Sequence, residues 1–573
     1  MNELESCANL GRNRHWVILE TGSNQAFIFA TNKQRVNVGA SELIRRSCTE
    51  WVNDAIDDLS DRSMVTPVVR ASGKAILLVR DEQLGRDLIG AVTRRAIVDA
   101  PGLELWGTCG PDVAADFADA ASSLEKAHHL HGSWRGFKRS TRGRHPMLPP
   151  LRTCRVGTGP ATDVRKDPDA EASDAGLALG PTVARTWDLS RDARRRLKDD
   201  LPGADIDRVV PDLHRGQELG HDGWIAVVHA DGNKIGNLFL DLGEHYQGHE
   251  FVRTLAALSD ALDRVTRASL DHAVTAIPRT DRPWLVPLIV GGDDVTFLAD
   301  ARVAVRLLRE FLTAFEEASA RDEVIARVTR AIRGRDDAGA DEADLLGLTA
   351  SAGLAFVKPH HPFADAYDLV EHLVLSAKTI GRAGTVPPKG VSALDFHVCY
   401  ESVSTPLPQV REQLTTLDPS GRALRLWGGP YRISPAEAPA RTDDDLARVR
   451  DLADAARAVD LFADAGAARV ADRDPLLSNA QAHALRSALL IGGGEIDRVR
   501  DRIRLLGGRA LAPSPATDQA ALLDGLIADD PHVDGGQRTL LLDALSLADA
   551  LTGTGEAASN TDRQDASTIG ASS

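Results

Sequence analysis

The sequence predicts an α+β protein, and three observations carry that expectation. Gly291-Gly292-Asp293-Asp294 separates two short apolar runs rich in β-branched residues, 285–290 and 295–298, which is the pattern of a tight hairpin. Between residues 224 and 398 the apolar periodicity gives β-α-β-β-α-β and one further helix, the order of a split βαβ, ferredoxin-like unit. Downstream, residues 443–511 repeat apolar side chains at helical spacing (Leu446, Val449, Leu452, Ala455, Val459), which predicts a mostly helical C-terminal domain over 401–551.

In chain order, residues 15–30 hold two apolar runs around Thr21-Gly22-Ser23-Asn24, a hairpin signal. A helix is expected after a turn at Val38-Gly39, followed by a strand over 75–79, a helix over 81–97 and a strand over 103–107. Residues 1–130 therefore read as a compact α/β or α+β domain. Residues 131–220 are basic, then polar and poor in large apolar side chains, and read as an insertion or linker. Their basic cluster reads as a solvated loop, with RNA contact as the alternative; His128, His129 and His131 have no further metal ligand in register.

The second unit, 221–400, has a central strand over 224–230, helices over 251–270 and 303–318, and a strand over 348–357. A helix over 363–380 and a strand over 393–398 follow, and 321–347 reads as a loop excursion. Residues 552–573 are a low-complexity tail with the composition of disorder.

Composition narrows the function. With a formal charge of −16 over 573 residues, the chain is a poor generic binder of nucleic acid or anionic membrane. Five scattered cysteines argue against a disulfide framework, and no apolar stretch is long enough to span a membrane. With no signal-peptide pattern at the start, the expected location is a reducing cytoplasm.

The chemistry concentrates at the hairpin. Two adjacent carboxylates at a turn read either as a solvated loop or as ligands that need a positive partner. A split βαβ topology puts Asp231, at the end of the central strand, beside Asp293 and Asp294. Converging carboxylates at adjacent strand ends suit two Mg²⁺ (or Mn²⁺) ions in phosphoryl or nucleotidyl transfer. Gly232, Asn233, Gly236, Gly291 and Gly292 would let backbone approach phosphate and metal. Lys378 and Arg382, one helical turn apart, could hold a triphosphate, and Ser351 could meet a base edge. Taken singly, Lys378 also reads as a solvated helix charge and Ser351 as a small residue where helix meets sheet.

Five motifs carry a resemblance: 230–236 (ADGNKIG), 289–294 (IVGGDD), 349–355 (TASAGLA), 376–378 (SAK) and 392–397 (SALDFH). In order and spacing they resemble the large polymerase-cyclase subunit of type III CRISPR effector complexes and, more broadly, GGDEF-type cyclases and palm polymerases. Residues 29–43, 427–431 (WGGPY) and 478–486 resemble other parts of that subunit, so the likeness spans roughly 15–130 and 222–510.

The resemblance implies two ferredoxin-like palm domains packed face to face, each binding ATP, and a cyclic oligoadenylate product used in antiviral defence. It implies Asp231, Asp293 and Asp294 as metal positions, Ser351 in a base pocket and Lys378 at a triphosphate. Other CRISPR effector subunits and guide or target RNA are the implied partners.

The first palm departs from the pattern, with Ala71-Ser72-Gly73-Lys74 where the acidic hairpin should lie, and reads as inactive. The HD nuclease domain and paired-cysteine zinc element of many relatives are not seen, and His221-Asp222 stands alone, which leaves a stand-alone relative as an alternative. Two other functions remain open: a templated palm polymerase, against which the acidic charge speaks, and a nucleotide-binding scaffold without turnover.

Overall fold

The computed structural model describes residues 14–71, 73–137, 150–165, 176–203, 223–277, 284–333, 347–359, 361–382, 391–400, 405–433, 479–507, 527–529 and 536–552. The periodic segment 443–459, His221-Asp222, most of the basic cluster and the C-terminal tail lie outside them.

The first sheet contains β1 (Arg14–Gly22), β2 (Val65–Ala71), β3 (Lys74–Val79) and β4 (Glu104–Val113), in the antiparallel order β2-β3-β1-β4. Its helices are α1 (Asn24–Ile28), α2 (Gln34–Cys48), α3 (Glu50–Asp57), α4 (Glu82–Asp99) and α5 (Ala120–Phe137). This is the split βαβ order, so the first domain is a ferredoxin-like palm. β1 is apolar on both faces because both are covered: Trp16 and Ile18 enter one core, Val17 and Leu19 the other.

Two expectations fail here. The second apolar run of 15–30 is α1, not a return strand; short apolar runs do not distinguish the two states. Gly39 is not a turn but lies inside α2, where an added Cβ would sit 1.8 Å from the Thr186 backbone oxygen. The glycine serves a close helix crossing.

Thr186 belongs to α6 (Pro181–Asp200), which follows the small ribbon of β5 (Asp163–Arg165) and β6 (Leu177–Leu179). Inside the interval read as a linker, α6 thus builds a satellite core with Val36, Cys154, Leu179, Val183 and Trp187.

The second sheet is built on β7 (Ile225–Gly232). The helices α7 (Ile235–His245) and α8 (Gly248–Thr275) come next, then the hairpin of β8 (Leu285–Gly291) and β9 (Asp294–Asp300). They are followed by α9 (Ala301–Arg321), α10 (Glu323–Arg333), β10 (Ala350–Val357), α11 (Phe363–Arg382) and β11 (Ala393–Val398). α10 occupies part of the expected loop excursion, with Ile325 and Val328 buried.

Further on lie α12 (Leu407–Gln413), β12 (Thr415–Leu417), β13 (Ala423–Arg425) and β14 (Tyr431–Arg432). The order β14-β11-β10-β7-β9-β8 puts β7 at the centre, and β10 and β11 are parallel across α11. The C-terminal part sets α13 (Asn479–Ile491), α14 (Gly494–Gly507) and α15 (Leu541–Thr552) beside a small sheet. In that sheet β12 and β13 join β15 (Ile527–Asp529) and β16 (Gln537–Thr539). Among the described residues, no helix is long and apolar enough to cross a membrane.

The two palms repeat each other closely. In each, the second strand carries a proline and then a bulge, Pro67/Val69 and Pro287/Ile289, at the same distance from the turn. Proline lacks the ladder N–H and the bulge tightens the twist. The palms also trade helices: α2 packs on β8, where Ser41 Oγ donates to the Leu288 carbonyl, and α8 packs on β2. One apolar cluster runs through the contact, with Val17, Leu19 and Leu77 from the first palm and Ile225, Val227 and Leu288 from the second. At about 25 cal/mol per Å² of apolar surface, such a shared core makes the pair one unit.

Candidate functional site

β7 ends at the centre of the sheet, and its last residues set the site. Asp231 lies directly opposite Asp294 on one side and Ser351 on the other. Directly opposed residues share a face, so the Asp231 and Asp294 carboxylates project on the same side. Gly292, at φ +62°, and Asp293 close the β8–β9 turn. Gly232 N donates to Asp293 O over 3.2 Å, and a Cβ on Gly232 would come within 2.9 Å of the Asp293 Cβ. Thr266 Oγ1 of α8 donates to the Gly292 carbonyl over 2.5 Å, fixing the turn from behind.

The electrostatics follow from this crowding. Burial, and then the Asp294 charge, push the Asp293 carboxyl up to about 6. Asp294 Oδ1 is buried, and the ring of His229 is its close polar neighbour. The nearest cation-capable group is His229, two residues before Asp231 on the same strand face. Its Nδ1 lies 3.1 Å from Asp294 Oδ1 and 3.0 Å from Thr296 Oγ1. Burial opposes a charged imidazole there, but Asp294 outweighs it and raises the His229 pKa. Tyr367 of α11 packs on His229 at 5.5 Å, and Phe29 of the first palm stacks on Tyr367 at 4.7 Å, so the neighbouring palm braces the site.

The other expected residues separate into four groups. Lys378, nearly buried on α11, pairs its Nζ with Asp231 Oδ2. Gly236 and Gly292 have nothing within 4 Å of where a Cβ would be, so the backbone there is open to a ligand, and Gly291 flanks the same turn. Asn233 and Ser351 instead spend their hydrogen bonds inside the sheet. Ser351 Oγ donates to Asn233 Oδ1 over 2.8 Å, and Asn233 Nδ2 donates to Thr349 Oγ1 and the Val391 carbonyl. Both are fully buried, and they tie the end of β7 to β10. Arg382 lies one turn past Lys378 on α11, and its side chain is outside the described residues. His229, Thr296 and Tyr367 were not anticipated; only the alternation that puts His229 on the face of Asp231 pointed to the first.

The donor set fits a hard divalent cation. It consists of carboxylate oxygens, one of them buried against His229, and it includes an acid group pushed up by burial and then by its like-charged neighbour. In this structure Lys378 holds Asp231, and among the described residues no three acidic, His or Cys side chains gather around one point.

The first palm presents the same strand ends with other residues. Glu20 lies opposite Lys74, as Asp231 lies opposite Asp294. Lys74 Nζ is 4.0 Å from Glu20 Oε2, and His131 Nε2 of α5 is 3.5 Å from the same oxygen. His131 stacks on Trp106, and His129 is exposed beside Glu125.

The family model of the Cas10/Cmr2 second palm domain matches residues 224–385, the segment from β7 through α11. Among solved structures, the chain is similar to the apo Csm1–Csm4 cassette, with 14% identity over 66% of this chain and 56% of that one and a TM-score of 0.38. It is also similar to that cassette in complex with AMPPNP (14% identity, 65% and 54%, TM-score 0.38) and with cA4 (15%, 65% and 54%, TM-score 0.38). The chain spans just over half the length of these relatives. No curated protein matches it. The acidic strand ends thus lie inside the one segment, residues 224–385, that matches the second palm domain of the Cas10/Cmr2 family.

Proposed function

We propose that the second palm is a nucleotidyltransferase that joins ATP into a cyclic or linear oligoadenylate messenger for CRISPR-type defence. The observation that carries this reading is Asp231 opposed to Asp294 on the central strands, with Asp293 at the adjoining turn, inside the segment matched by the palm family. Asp231, Asp293 and Asp294 would hold Mg²⁺ or Mn²⁺. The metal, when bound, neutralises triphosphate charge and makes the attacking hydroxyl more acidic.

The chain's own residues do the rest. Open backbone at Gly236, at the start of α7, and at Gly292, in the β8–β9 turn, receives phosphate oxygens. Lys378, released from Asp231, supplies a positive charge to the triphosphate. His229, itself in contact with Thr296, holds Asp294 in place. The cytoplasm, and an assembly with other effector subunits and guide or target RNA, are the setting this reading requires.

The test is incubation of the chain, with its copurifying partners and RNA, with Mg²⁺ or Mn²⁺ and each nucleoside triphosphate, then mass spectrometry of the products. Oligoadenylate with released pyrophosphate is expected. ATP that binds and is recovered intact under every condition would instead favour a nucleotide-binding scaffold. One observation speaks for that second reading: Asp231 is already neutralised by Lys378.

A further inference from the structure

Trp427, which opens the WGGPY motif, lines a cavity of about 300 Å³. Pro408, Arg411 and Glu412 of α12, Arg425 of β13 and Gln537 of β16 line it together with Trp427. The Arg425 guanidinium lies over the indole, with Cζ 4.5 Å from the ring centroid, and Arg411 approaches at 5.5 Å. A guanidinium stacked on an indole is a flat, cationic platform of the kind on which nucleobases stack. The Trp427 indole N–H is buried and has no acceptor among the described residues. Buried donors are rarely left without partners. An acceptor arriving from outside, such as a phosphate oxygen or a ring nitrogen, would complete it.

We propose that this cavity binds one nucleotide unit, with its base on the Arg425–Trp427 platform. The indole N–H and a guanidinium would face its acceptors, and Glu412 would be placed to accept from an exocyclic amine. The volume is at the small end of ligand pockets, which suits one such unit. The site is separate from the acidic strand ends, and its occupancy does not depend on the proposed catalysis. The two are nevertheless joined: Arg411 Nη1 donates to Ser376 Oγ over 2.8 Å, two residues from Lys378 on α11, and pairs with Asp395 of β11.

The test is calorimetric titration of the full chain in EDTA, with 5′-AMP in one arm and a 5′-phosphorylated triadenylate in the other. EDTA removes the metal that triphosphate binding at the palm requires. Saturable binding in either arm is expected, and the arm that binds tells a free nucleotide from a strand end. Trp427→Phe keeps the ring and removes the N–H, and Arg425→Gln removes the cation. Each should weaken binding roughly 10-fold or more, as loss of a charge-assisted hydrogen bond does. Asp293→Asn should leave it unchanged. The proposal is overturned if neither ligand binds, if binding ignores both cavity variants, or if it is lost with Asp293→Asn instead.

Discussion

At the end of the central strand, the first palm sets Glu20 opposite Lys74 and the second sets Asp231 opposite Asp294. The backbones match down to the proline and bulge in the second strand, yet the charge balance is opposite in kind. In the first palm one carboxylate faces one ammonium, with His131 beside it, and the site neutralises itself. In the second, Lys378 pairs with Asp231 alone, and Asp293 and Asp294 add two further carboxylates at the adjoining turn, with His229 beside Asp294. Such an excess is expensive at a crowded turn and is relieved by a divalent cation. The comparison teaches that palm topology supplies the place, and that two or three side chains decide whether metal chemistry can occupy it.

The largest effect should come from removing that excess. Asp293→Asn with Asp294→Asn is expected to lower nucleotide turnover by about 10³-fold or more, measured as pyrophosphate release, while circular dichroism stays unchanged. Glu20→Gln with Lys74→Ala in the first palm should leave turnover within a few-fold. Equal losses in both palms would break the comparison.

The next effect concerns what joins the palms. Glu42 of α2 is buried and held by Arg45 and Arg46 on its own helix and Arg196 on α6. Arg196 continues to Asp200, and Asp200 to Arg267 on α8. Removing one member of a buried ion network leaves its partners uncompensated, so Glu42→Ala should cost about 3–5 kcal/mol in urea unfolding.

The same residue gives a pH signature. Burial alone would raise the Glu42 pKa, but the arginines hold it down at about 2, below the ordinary 4.5. A depressed folded-state pKa adds stability that is present above the unfolded value and lost as pH falls through the folded one. Wild-type chain should therefore lose stability between pH 4.5 and about 2, and Glu42→Gln should flatten that limb. Gly39→Ala, which drives a methyl into the Thr186 carbonyl on α6, should cost about 1–3 kcal/mol by the same assay.

The smallest effect sharpens the comparison from the other side. Lys74 and Glu20 are partly exposed, so Lys74→Ala should change stability by no more than about 1 kcal/mol.

Much of this architecture was legible. The strands of the second palm declare themselves through apolar runs, and the Gly-Gly turn fixes the pairing of β8 with β9; the split βαβ order then places β7 beside β9 and brings Asp231 to Asp294. What the sequence hid has physical causes. α1 is a short segment in which helix and strand periodicity differ little; α10 carries a helical stripe (Val324, Ile325, Val328, Ala331, Ile332) at the edge of a charged, glycine-containing interval, and the stripe of α6 (Val183, Ala184, Trp187, Leu189, Ala193, Leu197) lies inside a polar one. Gly39 looks like a turn residue because the helix that crowds it is remote in sequence. Asn233 and Ser351 looked like ligand contacts because their partnership with each other appears only when β7 and β10 are side by side. His229 was overlooked because its meaning lies in a carboxylate on the next strand.

Metal binding in the second palm and not the first is tested by a Mn²⁺ titration followed by electron paramagnetic resonance, with a non-hydrolysable ATP analogue present. Wild-type chain should bind Mn²⁺ tightly, Asp293→Asn with Asp294→Asn should lose that binding, and Glu20→Gln with Lys74→Ala should keep it. Tight Mn²⁺ binding that survives the aspartate substitutions, or that disappears with those in the first palm, would contradict the account.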